Sequence, residues 1–198
     1  MKILFCEEVA GIYRLKVPFE DLYTSVFLIK ADGGDILVDC ATTAYDVDEH
    51  IVPALQYMGI EISNVKKIVL THKHGDHSGG LARVLQLSPD IEVIRSATEL
   101  DHNLSTYAMA GHTHDCIGVL DMRTSTLVSG DGLQGAGVGK YRCSLADKDA
   151  YLETINRIKN DKRIENILFS HAYEPWNCDT AIGRVAVEQS LFECLKYI

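Results

Sequence analysis

No stretch of this 198-residue sequence approaches the roughly 18 consecutive apolar residues that a membrane-spanning helix needs. No two cysteines form a CxxC pair, although six are present (Cys6, Cys40, Cys116, Cys143, Cys178 and Cys194). Scattered in this way they read as reduced thiols, mostly small core residues, rather than as a disulfide framework. Proline is scarce, with 4 residues, and neither a low-complexity tract nor an internal repeat marks a linker. Positive charge is in deficit: 19 Lys and Arg stand against 28 Asp and Glu, a net charge of -9. That balance argues against a nucleic-acid surface, which is normally basic. The apolar run from Ile3 to Cys6 is too short for a signal-peptide core. The expectation from these absences is a cytoplasmic protein with no membrane and no nucleic-acid partner, folded as one domain over residues 1–198.

Hydrophobic patterning suggests an alternation of strands and helices. Thr24 to Ala31 and Asp35 to Cys40 are strand-like runs joined by Asp32-Gly33-Gly34, a strong hairpin turn. Val47, Ile51, Leu55 and Met58 recur at helical spacing, with Gly59 placed to end the helix and Pro53 predicting a late start or a kink. Val65 to Thr71 returns to strand. Ser78 is a candidate cap for a short helix carrying Leu81, Val84 and Leu85, and Ile91 to Ile94 is strand again. Ile117 to Asp121 and Thr126 to Ser129 read as a hairpin. Tyr151 to Ile158 marks a helix and Ile164 to Phe169 a strand. Val187, Leu191, Leu195 and Ile198 give a terminal helix one apolar stripe. Two sheets covered by helices follow from this alternation.

The chemistry is concentrated in Thr71-His72-Lys73-His74-Gly75-Asp76-His77, at the end of the strand carrying Ile68, Val69 and Leu70. Three imidazoles and a carboxylate so close together are a dense set of metal donors. On a helix they would fan out around the axis; on a loop they can converge, and Gly75 frees the backbone to let them. A single histidine is more often a satisfied surface or core residue, but four such residues at this spacing share no bland explanation. Further candidates stand at element junctions: His112 before a strand, Asp131 after one, and His171 where Ile164 to Phe169 runs out.

The HxHxDH run at His72, His74, Asp76 and His77, followed by Gly111-His112-Thr113, Asp131 and His171, resembles the metallo-β-lactamase superfamily. The N-terminal hairpin is similar to the family's opening strands, and Asp39 matches its early strand-end aspartate, which holds the metal loop rather than touching metal. The resemblance implies an α/β fold, a four-layer αββα sandwich in a compact single domain. It implies two divalent metal ions, zinc first, with iron or manganese as alternatives. His72, His74 and His112 would hold one, Asp76, His77 and His171 the other, and Asp131 would bridge them. The nucleophile would be a metal-bridging hydroxide, with Asp76 orienting it or handling its proton.

Among the family's branches, true β-lactamases often place Cys where this chain has Asp131, and flavin-linked diiron enzymes place a carboxylate near His74. RNA-processing members carry an added domain or arm for which this length leaves no room. Gly139-Lys140-Tyr141 and His171-Ala172-Tyr173 resemble the substrate and last-histidine segments of glyoxalase II. Lys140 is then expected to anchor an anionic small molecule, with Tyr141 and Tyr173 as walls or hydrogen-bond donors. Within these 198 residues no counterpart of that family's C-terminal helical domain is expected, and the interval from Asp90 to Gly111 is short. His114, with Asp115 and Cys116 after it, is expected behind the ligands or at the rim, the alternative being an extra site residue. The expected activity is hydrolysis of an ester, thioester or related small substrate. Its rivals are a mononuclear iron persulfide dioxygenase-like oxidoreductase and a non-catalytic metal-binding protein. The GxGxxG match at Gly130 to Gly135 precedes further glycine rather than a clear helix start, and Gly139-Lys140 lacks the Ser or Thr of a P-loop, so nucleotide binding is set aside.

Overall fold

Apolar runs punctuated by turns build two six-stranded mixed sheets, one in each of two units, Met1–Arg95 and Ser96–Ile198, in a computed structural model that describes residues 3–198. In the first unit the strands lie in sequence order: β1 (Cys6–Val9), β2 (Ile12–Phe19), β3 (Leu22–Ile29), β4 (Ile36–Val38), β5 (Lys67–Val69) and β6 (Glu92–Ile94). The first four are antiparallel neighbours, and the β3–β4 register (Ile29 opposite Ile36) confirms the hairpin around Asp32-Gly33-Gly34. β4, β5 and β6 are parallel, so each step needs a crossover. A helix over 44–57 supplies the first and Leu81–Leu87 the second. Leu28, Leu37 and Ile68 from the sheet and Val47, Ile51, Leu55 and Val84 from the helices share one core.

The helix over 44–57 runs through a π-turn at Val47–Ile51, with Pro53 just after it. A proline has no N–H to return to the carbonyl four residues back, and a locally widened turn accommodates that defect without ending the helix. Gly59 follows at φ +74, the left-handed stop expected of it. Ser78 does not cap the helix after it. The metal loop itself becomes helical at Gly75–Ser78, and the Ser78 hydroxyl donates back to the carbonyls of Lys73 and His74, both at 3.1 Å.

The second unit orders its sheet β14-β13-β10-β9-β8-β7, with β7 (Glu99–Asp101), β8 (Leu104–Ala108), β9 (Ile117–Asp121), β10 (Thr126–Val128), β13 (Asn166–Tyr173) and β14 (Cys178–Ile182). The expected β9–β10 hairpin is present, and β10 pairs parallel with β13. Their crossover holds a small ribbon, β11 (Gly137–Val138) and β12 (Tyr141–Arg142), then the helix Lys148–Asn160. Asp147 caps that helix by accepting from the Ala150 N–H, and Tyr151, Thr154, Ile155 and Ile158 form its buried face. The last helix, Arg184–Leu195, buries Val187, Leu191 and Cys194; Ile198 of the expected stripe lies beyond its end. β13 also runs further than Ile164 to Phe169 suggested, through His171 to Tyr173, with its register to β14 broken between Leu168 and Tyr173. The interval 90–111, sparse in apolar signal, still forms β6, β7 and β8. Among the described residues no helix is long and apolar enough to cross a membrane.

Candidate metal centre

In the first unit, β4 and β5 end at the same sheet edge because they are parallel, and both ends carry site residues. Asp39 follows β4 with φ +63, a left-handed conformation that Asp tolerates better than most side chains. Its N–H donates to the Val69 carbonyl (2.8 Å), which sets the carboxylate beside the first residues after β5. Asp39 Oδ1 accepts from Thr71 N–H (2.8 Å), and Oδ2 accepts from the Thr71 hydroxyl (2.8 Å). Oδ2 also lies 2.7 Å from His77 Nδ1. The Thr71 hydroxyl in turn stands 3.1 Å from His72 Nδ1. A buried carboxylate thus holds the metal loop at both ends, and Thr71, which the sequence reading did not single out, is its relay.

These contacts take the Nδ1 side of His77 and His72, so each ring presents Nε2 as its metal donor. The His72 ring lies 4.7 Å from that of His74 and 4.2 Å from that of His77, centroid to centroid. His72 and His77 are buried and His74 is exposed, each offering a nitrogen within 4.8 Å of a neighbour's. The helical turn from Gly75 brings the Asp76 carboxylate to 3.3 Å from His77 Nε2, partly buried.

In the second unit β8, β10 and β13 run in the same direction, so the residues that follow β8 and β10 and those late in β13 gather at one edge. That edge holds His112, Asp131 and His171, all buried. Gly111 (φ +148) brings the chain so close to the helix Lys148–Asn160 that a Cβ there would meet the Tyr151 Cα at 2.6 Å. The glycine before His112 is therefore a packing requirement as well as a conformational one. The Asp131 carboxylate stands between the two histidines: Oδ2 is 3.8 Å from His112 Nε2, and Oδ1 is 3.5 Å from His171 Nε2. Tyr173, fully buried, donates its hydroxyl to Oδ1 at 2.6 Å.

His112 Nδ1 lies 2.7 Å from the Ser144 carbonyl, to which it donates when it carries the ring proton, and 2.9 Å from the Gln134 carboxamide nitrogen, which can bond it only in the opposite tautomer. Neither residue was singled out as a site residue from the sequence. Lys140 and Tyr141 sit on the exposed β11–β12 ribbon, the Lys140 Nζ 5.2 Å from the Tyr141 ring centroid. His114 is exposed, while the Thr113 hydroxyl donates to Asp115 (2.6 Å) and lies 3.1 Å from the Cys116 sulfur. Burial pushes the Cys116 thiol up to about 11, which removes it as a thiolate donor near neutral pH. His50 lies in the π-turn, edge-on to Tyr45, and His102 is exposed in the β7–β8 turn.

His72, His74, Asp76 and His77 in the first unit, and His112, Asp131 and His171 in the second, are each among the side chains that could hold a metal ion. Imidazole nitrogens with carboxylate oxygens suit a borderline divalent cation, and rings fixed through Nδ1 are the arrangement such ligands need.

Comparison with known proteins agrees with this chemistry. Residues 20–104 match the family model described as the metallo-beta-lactamase superfamily. A hydroxyacylglutathione hydrolase from Xanthomonas euvesicatoria pv. vesicatoria (strain 85-10) is 33% identical over 139 residues, 62% of this chain and 50% of that protein. Another, from Actinobacillus pleuropneumoniae serotype 5b, is 26% identical over 184 residues, 85% of this chain and 74% of that protein. The chain spans about half the length of the first of these relatives. Among solved structures, the metallo-β-lactamase FIM-1 from Pseudomonas aeruginosa superposes with a TM-score of 0.74 at 18% identity, covering 99% of this chain and 96% of that one. A metallo-β-lactamase from Erythrobacter litoralis gives 0.69 at 20% identity, covering 97% and 96%. The fold is therefore the metallo-β-lactamase fold, with two mixed sheets and flanking helices, and residues 20–104 carry the sequence match to the metallo-beta-lactamase superfamily.

Proposed function

We propose that this protein is a dinuclear metal-dependent hydrolase of an ester, thioester or related bond in a small substrate, with zinc as its metal. The observation that carries the reading is at Asp131, whose two carboxylate oxygens each face the Nε2 of a different histidine, at 3.8 and 3.5 Å. A carboxylate so placed is suited to bridging two cations, one on each side. In this reading His72, His74, His112, Asp76, His77 and His171 would hold two divalent cations, with Asp131 a ligand shared by both. When bound, the pair supplies Lewis acidity toward the scissile carbonyl and a water made acidic near neutral pH.

The chain's own residues do the rest. Asp39 and Thr71 fix the rings of His77 and His72 so that Nε2 is the donor. The Tyr173 hydroxyl holds Asp131 through Oδ1, and its ring stands 5.8 Å from that of His171, as a wall of the site. Asp76, partly open to solvent, is placed to orient the attacking water and to take its proton. Lys140, an exposed cation on an otherwise acidic protein, anchors the negative end of the substrate, with Tyr141 beside it. The name hydroxyacylglutathione hydrolase, carried by relatives at 33% and 26% identity, favours an anionic thioester as the substrate class.

The test is elemental analysis of protein purified without added metal, followed by turnover of thioester, lactone, amide and phosphodiester panels. Two divalent cations per chain with thioester turnover is the expected result. Asp131→Ala and His77→Ala should lose metal and nearly all turnover, while His50→Ala and His102→Ala keep both. One iron per chain with oxygen uptake on a persulfide would overturn the hydrolase reading, and full turnover in Asp131→Ala would remove the bridge.

A further inference from the structure

Ser144 is exposed and lies between β12 and the helix Lys148–Asn160, in a stretch with no strand or helix of its own. A backbone carbonyl in such a loop is a poor orienting group unless something fixes it. Here the carbonyl takes His112 Nδ1 at 2.7 Å, and the fixing is visible on the other side of the same residue. The Ser144 N–H donates to Gln134 Oε1 at 3.0 Å. Gln134 is itself buried, and its backbone N–H donates to the hydroxyl of the fully buried Tyr151 at 3.0 Å. Its carboxamide nitrogen lies 2.9 Å from His112 Nδ1 but, as a donor, makes no bond to a protonated Nδ1, so Gln134 acts on that ring through Ser144. The flanking backbone is pinned too, with Cys143 N–H on the Ala136 carbonyl (2.9 Å), Ala146 N–H on that of His112 (3.2 Å) and Asp147 N–H on that of Gly111 (3.0 Å).

We propose that Gln134 is a positioning residue for the metal site. By holding Ser144 it aims the Ser144 carbonyl at His112 Nδ1, which commits Nε2 to metal. It also ties the ribbon bearing Lys140 and Tyr141 to that ligand. The inference rests on reading His112 as a metal ligand. With a cation on Nε2 the ring proton sits on Nδ1, where only an acceptor is welcome; the Ser144 carbonyl serves, and Gln134 is needed to keep it there. A leucine at 134 would fill the space without reaching Ser144.

Zinc titration against a chromogenic chelator tests this on the wild type, Gln134→Leu and Gln134→Glu. Gln134→Leu should weaken the zinc held by His112 by about 10–100-fold and leave the zinc held by His77 unchanged. Gln134→Glu keeps an oxygen for the Ser144 N–H and sets a second acceptor at Nδ1, so it should bind that zinc as tightly as the wild type. Equal weakening of both sites in Gln134→Leu, or of neither, overturns the proposal, since a merely structural glutamine would not discriminate between them. If Gln134→Leu does not fold, Gln134→Glu decides: tight binding at both sites supports the role, and selective loss at the His112 site refutes it. A wild-type protein that takes up no zinc overturns the ligand reading itself, and this inference with it.

Discussion

Replacing Asp39 by Asn separates the folding role of this carboxylate from its role toward metal. The substitution is nearly isosteric, and Asn tolerates the φ of +63 at this position, so no backbone penalty enters. Oδ1 still accepts from Thr71 N–H, and the Thr71 hydroxyl can turn to accept from the new amide instead of donating. The third contact cannot be kept as it is. At 2.7 Å an amide N–H faces His77 Nδ1, which must become an acceptor, so the ring proton moves to Nε2. There it meets the Asp76 carboxylate, 3.3 Å away, and the nitrogen meant for metal is occupied by a proton. With most contacts preserved or reversed, metal-free stability should fall by only about 1 kcal/mol, or roughly 2–4 °C in Tm. The zinc held by His77 should weaken by about 10–100-fold. Asp39→Ala, which removes the acceptor of the Thr71 N–H, the Thr71 hydroxyl and His77 Nδ1 and places Ala at positive φ, should cost about 3–5 kcal/mol. Differential scanning calorimetry of the metal-free proteins and chelator-competition titration give the two quantities. Unchanged zinc affinity at both sites in Asp39→Asn would refute the argument that Asp39 sets the His77 tautomer.

Lys140→Ala should raise KM for anionic thioesters by about 2–5-fold, the scale of an exposed ion pair, with smaller effects on neutral esters. Added salt should erase the difference, and a change confined to kcat would remove the anchoring role. An aromatic disulfide reagent should label the exposed Cys6 and Cys178 quickly and Cys143 more slowly. Cys40, Cys116 and Cys194 should react only after unfolding, since they are buried and burial holds the Cys116 and Cys194 thiols near 11. Labelling of Cys116 at the rate of Cys178 would contradict the packing around Thr113.

Local chemistry made much of the site readable. His72, His74, Asp76 and His77 are crowded into one turn, and Asp131 lies where a strand pattern stops, so each could be found without knowing what it faces. The strands with clear apolar runs were legible for the same reason. β7 and β8 were not, because they carry Glu99, Asp101, Ser105 and Thr106, whose polarity hides the pattern. Ser78 misled as a cap because its hydroxyl had a nearer partner within its own turn. The end of β13 was placed too early because His171 interrupts an apolar run without interrupting the extended backbone.

The amino-acid sequence by itself determined the candidate donors: five histidines and two aspartates of types that can hold divalent metal, with Asp39 added by the family resemblance. Only the tertiary structure decided how the donors are aimed. Thr71 reaches Asp39 across 32 positions, His112 reaches Ser144 across 32, and Tyr173 reaches Asp131 across 42. Hydrogen bonds over such separations depend on strand order and loop closure, which bring the residues together only after the sheets have formed. A ligand's identity is carried by its own side chain, but its tautomer and direction are set by neighbours that no local pattern names.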